Sequence, residues 1–410
     1  MTERARNWIV AVTILIYFTP FACADDSVKT RCEPLIQKHR TGVLTIKTKP
    51  GASVTVRQLR HEFQFGTAVS SGMFRQGLYG RDEATARNIS IYKSVLVENF
   101  NAAVHENALK WYATERDSGG NPDYSVADSI LVFCEAHGIA MRGHCIYWGI
   151  EKFVQGWTKK LDTTSLRRNV ERRGREVTAR YRGRIPEYDL NNEMVHGDYY
   201  RDRLGDSITA EMFDWAKVGD PDVVLYLNDY SILSGRDLDV YLKQIREYLA
   251  LGIPVGGIGV QGHFQKDIDI NIVQTALDSL AQFNLPVKVT EYDLTVDDEE
   301  KKAELLDSFY RTCFAHPAVD AIVMWGFWEG AHWRPGAALW KKDWTPTPAA
   351  HAYRNLVFDE WWTSADRKAG PDGVCTVRAF YGTYLVTAGN AETMVTFSKN
   401  EGAKTLFLGL

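Results

Sequence analysis

From Phe63 onward the chain alternates short apolar runs with stretches in which apolar residues recur every three or four positions. The runs at 63–69, 100–104, 139–145, 186–191, 222–228, 257–261, 286–291 and 321–326 read as strands. Helical patterns lie between them; Leu238, Tyr241, Leu242, Ile245, Tyr248 and Leu249 repeat at i, i+3 and i+4 until Gly252 ends the helix. Eight strand and helix units in succession predict an α/β fold, a (β/α)8 TIM barrel over 63–362.

The two ends are patterned differently. Residues 43–47 and 53–57 flank Pro50-Gly51 and predict a hairpin, while 375–378, 383–387, 393–397 and 404–408 alternate between turn residues. Strand-only ends around a mixed middle predict a small accessory β-sandwich, built jointly from 25–62 and 363–410. Residues 25–40 carry little pattern, and the charge run 297–302 reads as a solvated first helical turn.

Candidate chemistry collects at the carboxyl ends of the strands, where barrel enzymes keep their sites. The run Tyr188-Asp189-Leu190-Asn191-Asn192-Glu193 closes on an amide and a carboxyl, and Val289-Thr290-Glu291-Tyr292-Asp293 closes on two acids. Two carboxyls on separate strand ends suit an acid and a nucleophile facing one substrate. Other strand ends supply Glu106, Asn107, Lys110 and Trp111, then His144 and Trp148, then Gln261 and His263, then Trp325 and Trp333. Each alone is most simply a satisfied rim or core residue. Together they form a set of hydrogen-bonding and aromatic groups that fits a polyhydroxylated chain.

Composition narrows the partner. The 48 basic and 52 acidic residues leave a net charge of -4, which gives no field for nucleic acid. A 45% hydrophobic content excludes disorder, and twelve Trp with nineteen Tyr favour a ligand with flat apolar faces such as a sugar. Arg4 and Arg6 before the apolar run 8–18, then Ala22-Cys23-Ala24, predict a signal peptide over 1–24 and an extracellular or periplasmic protein. That run is shorter than the roughly 20 residues of a membrane span, and Pro20 with Phe21 disfavours lipidation at Cys23. No membrane association is expected after cleavage. The five remaining cysteines include no Cys-x-x-Cys pair, so neither a metal nor another cofactor is expected. A Cys32 to Cys375 bridge between the chain ends is conceivable, whereas Cys134 and Cys145 read as buried thiols. Asn88-Ile89-Ser90 would be a glycosylation site in a eukaryotic host.

Across about 63–358 the sequence resembles glycoside hydrolase family 10, the retaining endo-β-1,4-xylanases. The matching motifs are Glu106-Asn107-x-x-Lys110-Trp111, Arg142-Gly143-His144 with Trp148, Asn192-Glu193, Gln261-x-His263, Thr290-Glu291-x-Asp293, and Trp325 with Trp333. The resemblance implies that Glu193 is the acid/base and Glu291 the nucleophile; from their pairing on the fourth and seventh strands the two carboxyls are expected about 5 to 5.5 Å apart, the retaining separation. It implies that Asn192 binds the hydroxyl beside the reacting carbon, and that His263 and Asp293 orient Glu291 and keep it ionised. Glu106, Asn107, Lys110, His144, Trp148, Gln261, Trp325 and Trp333 would contact substrate, the two tryptophans as walls of the donor subsites rather than core. Gly149 departs from the family, many members of which carry a His there. The run 110–115 and the terminal sandwich resemble a subgroup best known from plants. The implied partner is β-1,4-xylan, hydrolysed by a monomer. Rival readings are another β-1,4-glycan, such as cellulose or mixed-linkage glucan, and a barrel that only binds glycan.

Overall fold

The computed structural model of the chain describes residues 26–75, 77, 82–118 and 121–410, so the leader expected over 1–24 lies outside the described residues. Its first element is a helix, α1 (Asp26–Arg40), where the sequence shows little pattern. Val28, Cys32 and Ile36, four apart, form its buried stripe against the barrel core, and Pro34 lies within it. Arg40 ends the helix under the barrel. Its Nε donates to the Phe314 carbonyl at 2.6 Å, and its Nη2 to those of His316 at 2.7 Å and Val319 at 2.6 Å. The guanidinium also packs over the Phe63 and Phe314 rings. Residues 26–40 therefore belong with the barrel, not with the sandwich strands.

Two strands follow, β1 (Thr41–Lys47) and β2 (Ser53–His61). The barrel strands are β3 (Gln64–Val69), β4 (Ala102–His105), β5 (Ala140–Arg142), β6 (Glu187–Asn192), β7 (Val224–Asp229), β8 (Gly257–Val260), β9 (Val287–Thr295) and β10 (Val319–Met324). The chain ends on β11 (Ser364–Lys368), β12 (Val374–Phe380), β13 (Gly382–Ala388), β14 (Ala391–Phe397) and β15 (Ala403–Phe407). Parallel pairing runs β5-β4-β3-β10-β9-β8-β7 and on to β6. The barrel closes between β5 and β6, where the Gly143 N–H donates to the Glu187 carbonyl at 2.9 Å and the Asp189 N–H to the Gly143 carbonyl at 3.1 Å.

The predicted hairpin does not form. A turn does stand at Pro50-Gly51, with Gly51 at a φ of 73° that favours glycine, but β1 and β2 enter different sheets. β1 lies between β12, antiparallel, and β15, parallel; β2 lies between β11 and β13, both antiparallel. Leu44 and Ile46 of one sheet face Val54, Val56, Tyr384 and Val386 of the other in a single core. The alternation in the two strands reports facing sheets rather than paired neighbours. The suggested bridge is absent too: all five described cysteines are free and buried, Cys32 in the barrel core and Cys375 in the sandwich core.

The barrel interior has two unlike halves. Ala68, Val104, Ala321 and Val323 form a small apolar cluster with Trp325. The opposite half is ionic. Lys288 Nζ donates to both Glu187 oxygens at 2.6 Å and to Gln64 Oε1 at 2.9 Å. Arg142 donates to Glu187 Oε1 at 3.0 Å and to Asp189, and His144 Nδ1 lies 2.9 Å from Asp189 Oδ2. Burial is the largest influence on Glu187 and Asp189 and would raise them; the cations of Lys288 and Arg142 outweigh it for Glu187, and Arg142 with His144 does so for Asp189. Glycines in β8 make room for this layer, since a Cβ on Gly257 would lie 2.2 Å from the Tyr226 ring and one on Gly259 2.5 Å from Asn228 Oδ1.

Replacing Arg142 with Leu strands two buried carboxylates. The expected loss is roughly 3–5 kcal/mol of unfolding free energy, read from the denaturant midpoint; a loss below about 1 kcal/mol would show that Lys288 neutralises both acids alone.

Candidate active site

Glu193 directly follows β6 in a conformation that L-residues rarely adopt, with φ at 65°. Its N–H donates to the Asn228 carbonyl at 2.9 Å, and its own carbonyl accepts from the His196 N–H at 3.0 Å. The turn aims its carboxyl at two donors: Trp148 Nε1 at 2.8 Å from Oε2 and Gln261 Nε2 at 2.9 Å from Oε1. Burial raises the Glu193 carboxyl above the usual carboxylate range; the two hydrogen bonds oppose this and the charge of Glu291 adds to it. The group therefore holds its proton to higher pH than a free acid does.

Glu291 stands on β9 in a different setting. Asn228 Nδ2 donates to its Oε1 at 2.9 Å, and His263 Nε2 lies 3.3 Å from its Oε2. The other His263 nitrogen lies 3.0 Å from Asp293 Oδ1. Burial pulls His263 down most strongly of any single influence, but Asp293 and Glu291 together lift it to about 9. An imidazolium thus sits between two carboxylates at neutral pH. Asp293 is itself held by Trp333 Nε1 at 2.7 Å and Arg334 Nη1 at 3.0 Å.

One amide connects the two acids. Thr290 Oγ1 donates to Asn228 Oδ1 at 2.6 Å, which fixes the amide's orientation and leaves both its protons for Asn192 Oδ1 at 2.8 Å and Glu291 Oε1 at 2.9 Å. Asn192 is thereby turned so that its own NH2 faces away from Asn228.

The remaining residues named from sequence gather round this pair. Lys110 Nζ donates to Asn107 Oδ1 at 3.1 Å and lies over the Trp148 and Trp325 rings, at 4.5 and 5.6 Å from their centroids. Glu106 is half-buried beside Lys110 and Asn107, and burial raises its carboxyl. His144 lies edge-on to Trp325. The two tryptophans divide: Trp333 is 49% exposed, whereas Trp325 is buried on the inner barrel cluster and floors the site instead of walling it.

Several participants escape a reading of strand ends that skips β7. Asn228 and Asp229 close that strand with an amide and an acid, the pair that Asn192 at the end of β6 forms with Glu193 just after it. Asp229 Oδ2 accepts the Val195 N–H at 2.8 Å and its Oδ1 lies 2.7 Å from His196 Nδ1, pinning the turn that carries Glu193. Gly149 lies close to Asp198. A Cβ there would lie 3.1 Å from Asp198 Oδ1, and the Gly149 N–H donates to Asn191 Oδ1 at 3.1 Å. A side chain at 149 would require Asp198 to shift by a few tenths of an ångström.

His263 supplies a pH test. Its pKa is raised on folding, so its contribution to stability is complete below about 6.5, the unfolded value, and fades as pH rises through about 9. The melting-temperature advantage of the native chain over His263→Asn should shrink across that window; an advantage constant from pH 6 to 10 would show that the ring is neutral.

Comparison with known proteins places this cleft. The profile of Glycosyl hydrolase family 10 matches residues 57–356. The chain is 37% identical over 350 residues to the anti-sigma-I factor RsgI6 of Acetivibrio thermocellus, covering 84% of this chain and 44% of that one. It is 35% identical over 354 residues to endo-1,4-beta-xylanase 1 of Arabidopsis thaliana, covering 85% and 36%. It thus spans less than half the length of either relative. Among solved structures, xylanase 10B of Thermotoga petrophila in complex with xylobiose superposes with a TM-score of 0.65 at 25% identity, covering 72% of this chain and 94% of that one. A family profile matched over most of the chain, on a barrel whose strand ends bring the motif residues into one cleft, shows that this chain belongs to glycosyl hydrolase family 10.

Proposed function

We propose that the chain is an endo-β-1,4-xylanase that cleaves xylan with retention, exported by the leader over 1–24. The observation that carries this is the unequal setting of two buried carboxyls. Glu193 is biased toward its proton by burial, while Glu291 faces an imidazolium and an amide donor. In the first step Glu193 passes its proton to the departing sugar oxygen as a Glu291 oxygen bonds to the anomeric carbon. The bond from carbon to leaving oxygen breaks with its electron pair going to that oxygen. In the second step Glu193, now an anion, takes a proton from water as the water oxygen displaces Glu291. His263 and Asn228 stay bound to Glu291 throughout and favour its release as an anion. No step requires a metal or an organic cofactor. The name of the Acetivibrio relative favours a second reading, a barrel that binds glycan to report it. Against that reading, each carboxyl here retains a complete set of partners suited to turnover.

The leaving group separates the roles. Glu193→Ala should lose about 10²–10⁴-fold on xylan yet release dinitrophenolate from an aryl xyloside in a fast burst, with azide accelerating the slow phase. Glu291→Ala should do neither. Equal loss on both substrates in Glu193→Ala, without burst or azide rescue, would reverse the assignment.

Trp148 tunes the acid. Its N–H steadies the Glu193 anion, so Trp148→Phe should move the basic limb of the kcat/KM profile to higher pH. An unmoved limb with reduced kcat would make the ring a packing element only.

A further inference from the structure

His196 follows Glu193 by three residues, and its ring is clamped between acids from two other elements. Nδ1 lies 2.7 Å from Asp229 Oδ1 at the end of β7, and Nε2 lies 3.2 Å from Asp237 Oδ2, just ahead of the helix Leu238–Ala250. A carboxylate oxygen only accepts, so both ring nitrogens have to donate, and an imidazole carries both protons only as the cation. The Tyr230 ring lies flat against it, with centroids 3.6 Å apart and planes 13° from parallel, a contact that suits a cation over a π face. Burial pulls His196 down most strongly of any single influence, but Asp229 and Asp237 together leave it raised.

Asp229 connects this clamp to the acid. Its buried side chain accepts the Val195 N–H at 2.8 Å on Oδ2 and the Tyr230 N–H at 2.9 Å on Oδ1. Among the described residues no cation but His196 lies within ion-pair distance of it. Burial already favours the protonated form of Asp229, and loss of that cation would favour it further, weakening the grip on both N–H groups. Val195 is two residues past Glu193, whose φ of 65° is a strained value that persists only where the surroundings enforce it. The aim of the Glu193 carboxyl at Trp148 and Gln261 therefore rests on a charge held behind the turn.

Building on the reading of Glu193 as the acid/base, we propose that His196 is a positioning residue for proton transfer: an imidazolium locked between Asp229 and Asp237 that keeps the left-handed turn from relaxing, and so keeps the Glu193 carboxyl on the departing oxygen.

The test varies how far the reaction needs that acid. In His196→Phe, which keeps a flat ring for Tyr230 but loses both donors, kcat/KM on xylan should fall about ten- to a hundredfold, part of what general acid catalysis supplies. On 2,4-dinitrophenyl β-xylobioside, whose phenolate leaves unprotonated, kcat/KM should stay within about twofold of the native value. There kcat should fall, because the same carboxyl activates water, so KM falls with it and azide restores kcat. Asp237→Asn, at the 25% exposed outer end of the clamp, should show the same selectivity at about two- to fivefold, the range for one partly exposed ion pair, and decides the matter if His196→Phe does not fold. Equal losses on both substrates, or a lower melting temperature with kcat/KM on xylan unchanged, would make the ring structural only and overturn the proposal. Glu193→Ala is measured beside them. Equal loss in that variant overturns the acid/base reading and this proposal with it, whereas selective loss there but not in the His196 and Asp237 variants overturns this proposal alone.

Discussion

Charge inside the barrel has no water to turn to, and that constraint organises one half of the structure. Arg142 and Lys288 are tolerated because Glu187 and Asp189 lie against them, and the acids because the cations do. Such pairs add little net stability, since desolvation offsets most of the attraction. What they fix is orientation. Asp189 holds Arg142 with one oxygen and His144 with the other, and His144 Nδ1 lies 4.0 Å from Glu291 Oε1. A continuous series of polar contacts thus runs from Gln64 at the start of β3 to the carboxyl ends of the strands.

At its upper end the series meets Asn228, whose single amide serves β6, β7 and β9 at once. Because the Thr290 hydroxyl sets which way the amide points, the Asn192 and Glu291 side chains are oriented by a side chain on β7 that is itself oriented from β9. Glu193 is held by a different device, a left-handed turn pinned by Asp229. Independent supports let the two carboxyls sit in unlike settings within one cleft.

Much of the barrel is legible in the sequence because parallel strands are covered on both faces and so appear as continuous apolar runs. The strand-end residues are legible because their spacing repeats the strand and helix period. Other features leave weaker traces. The stripe of α1 is one residue wide per turn and interrupted by Pro34, so its period does not stand out. Alternation in 43–57 shows that one face is buried but not what lies at either edge, which is why facing strands read as a hairpin. Asn228-Asp229 carries the same signature as Asn192-Glu193 and is findable by reading every strand end. The ionic layer is hardest to anticipate, since a charged residue within an apolar run reveals nothing about its partner on another strand.

The sandwich weaves β1 between β12 and β15, and β2 between β11 and β13. More than three hundred residues of barrel separate these partners in the chain. A ribosome adding about 5–20 residues per second needs some tens of seconds to bridge that interval. Throughout it, Leu44, Ile46, Val54 and Val56 have no facing sheet, although the barrel that follows them can already be collapsing. The clasp that shuts over them therefore forms only after the barrel strands have been made. A chain abandoned short of β12 would keep its greasy strands uncovered, a mark that chaperones and proteases can read as unfinished synthesis.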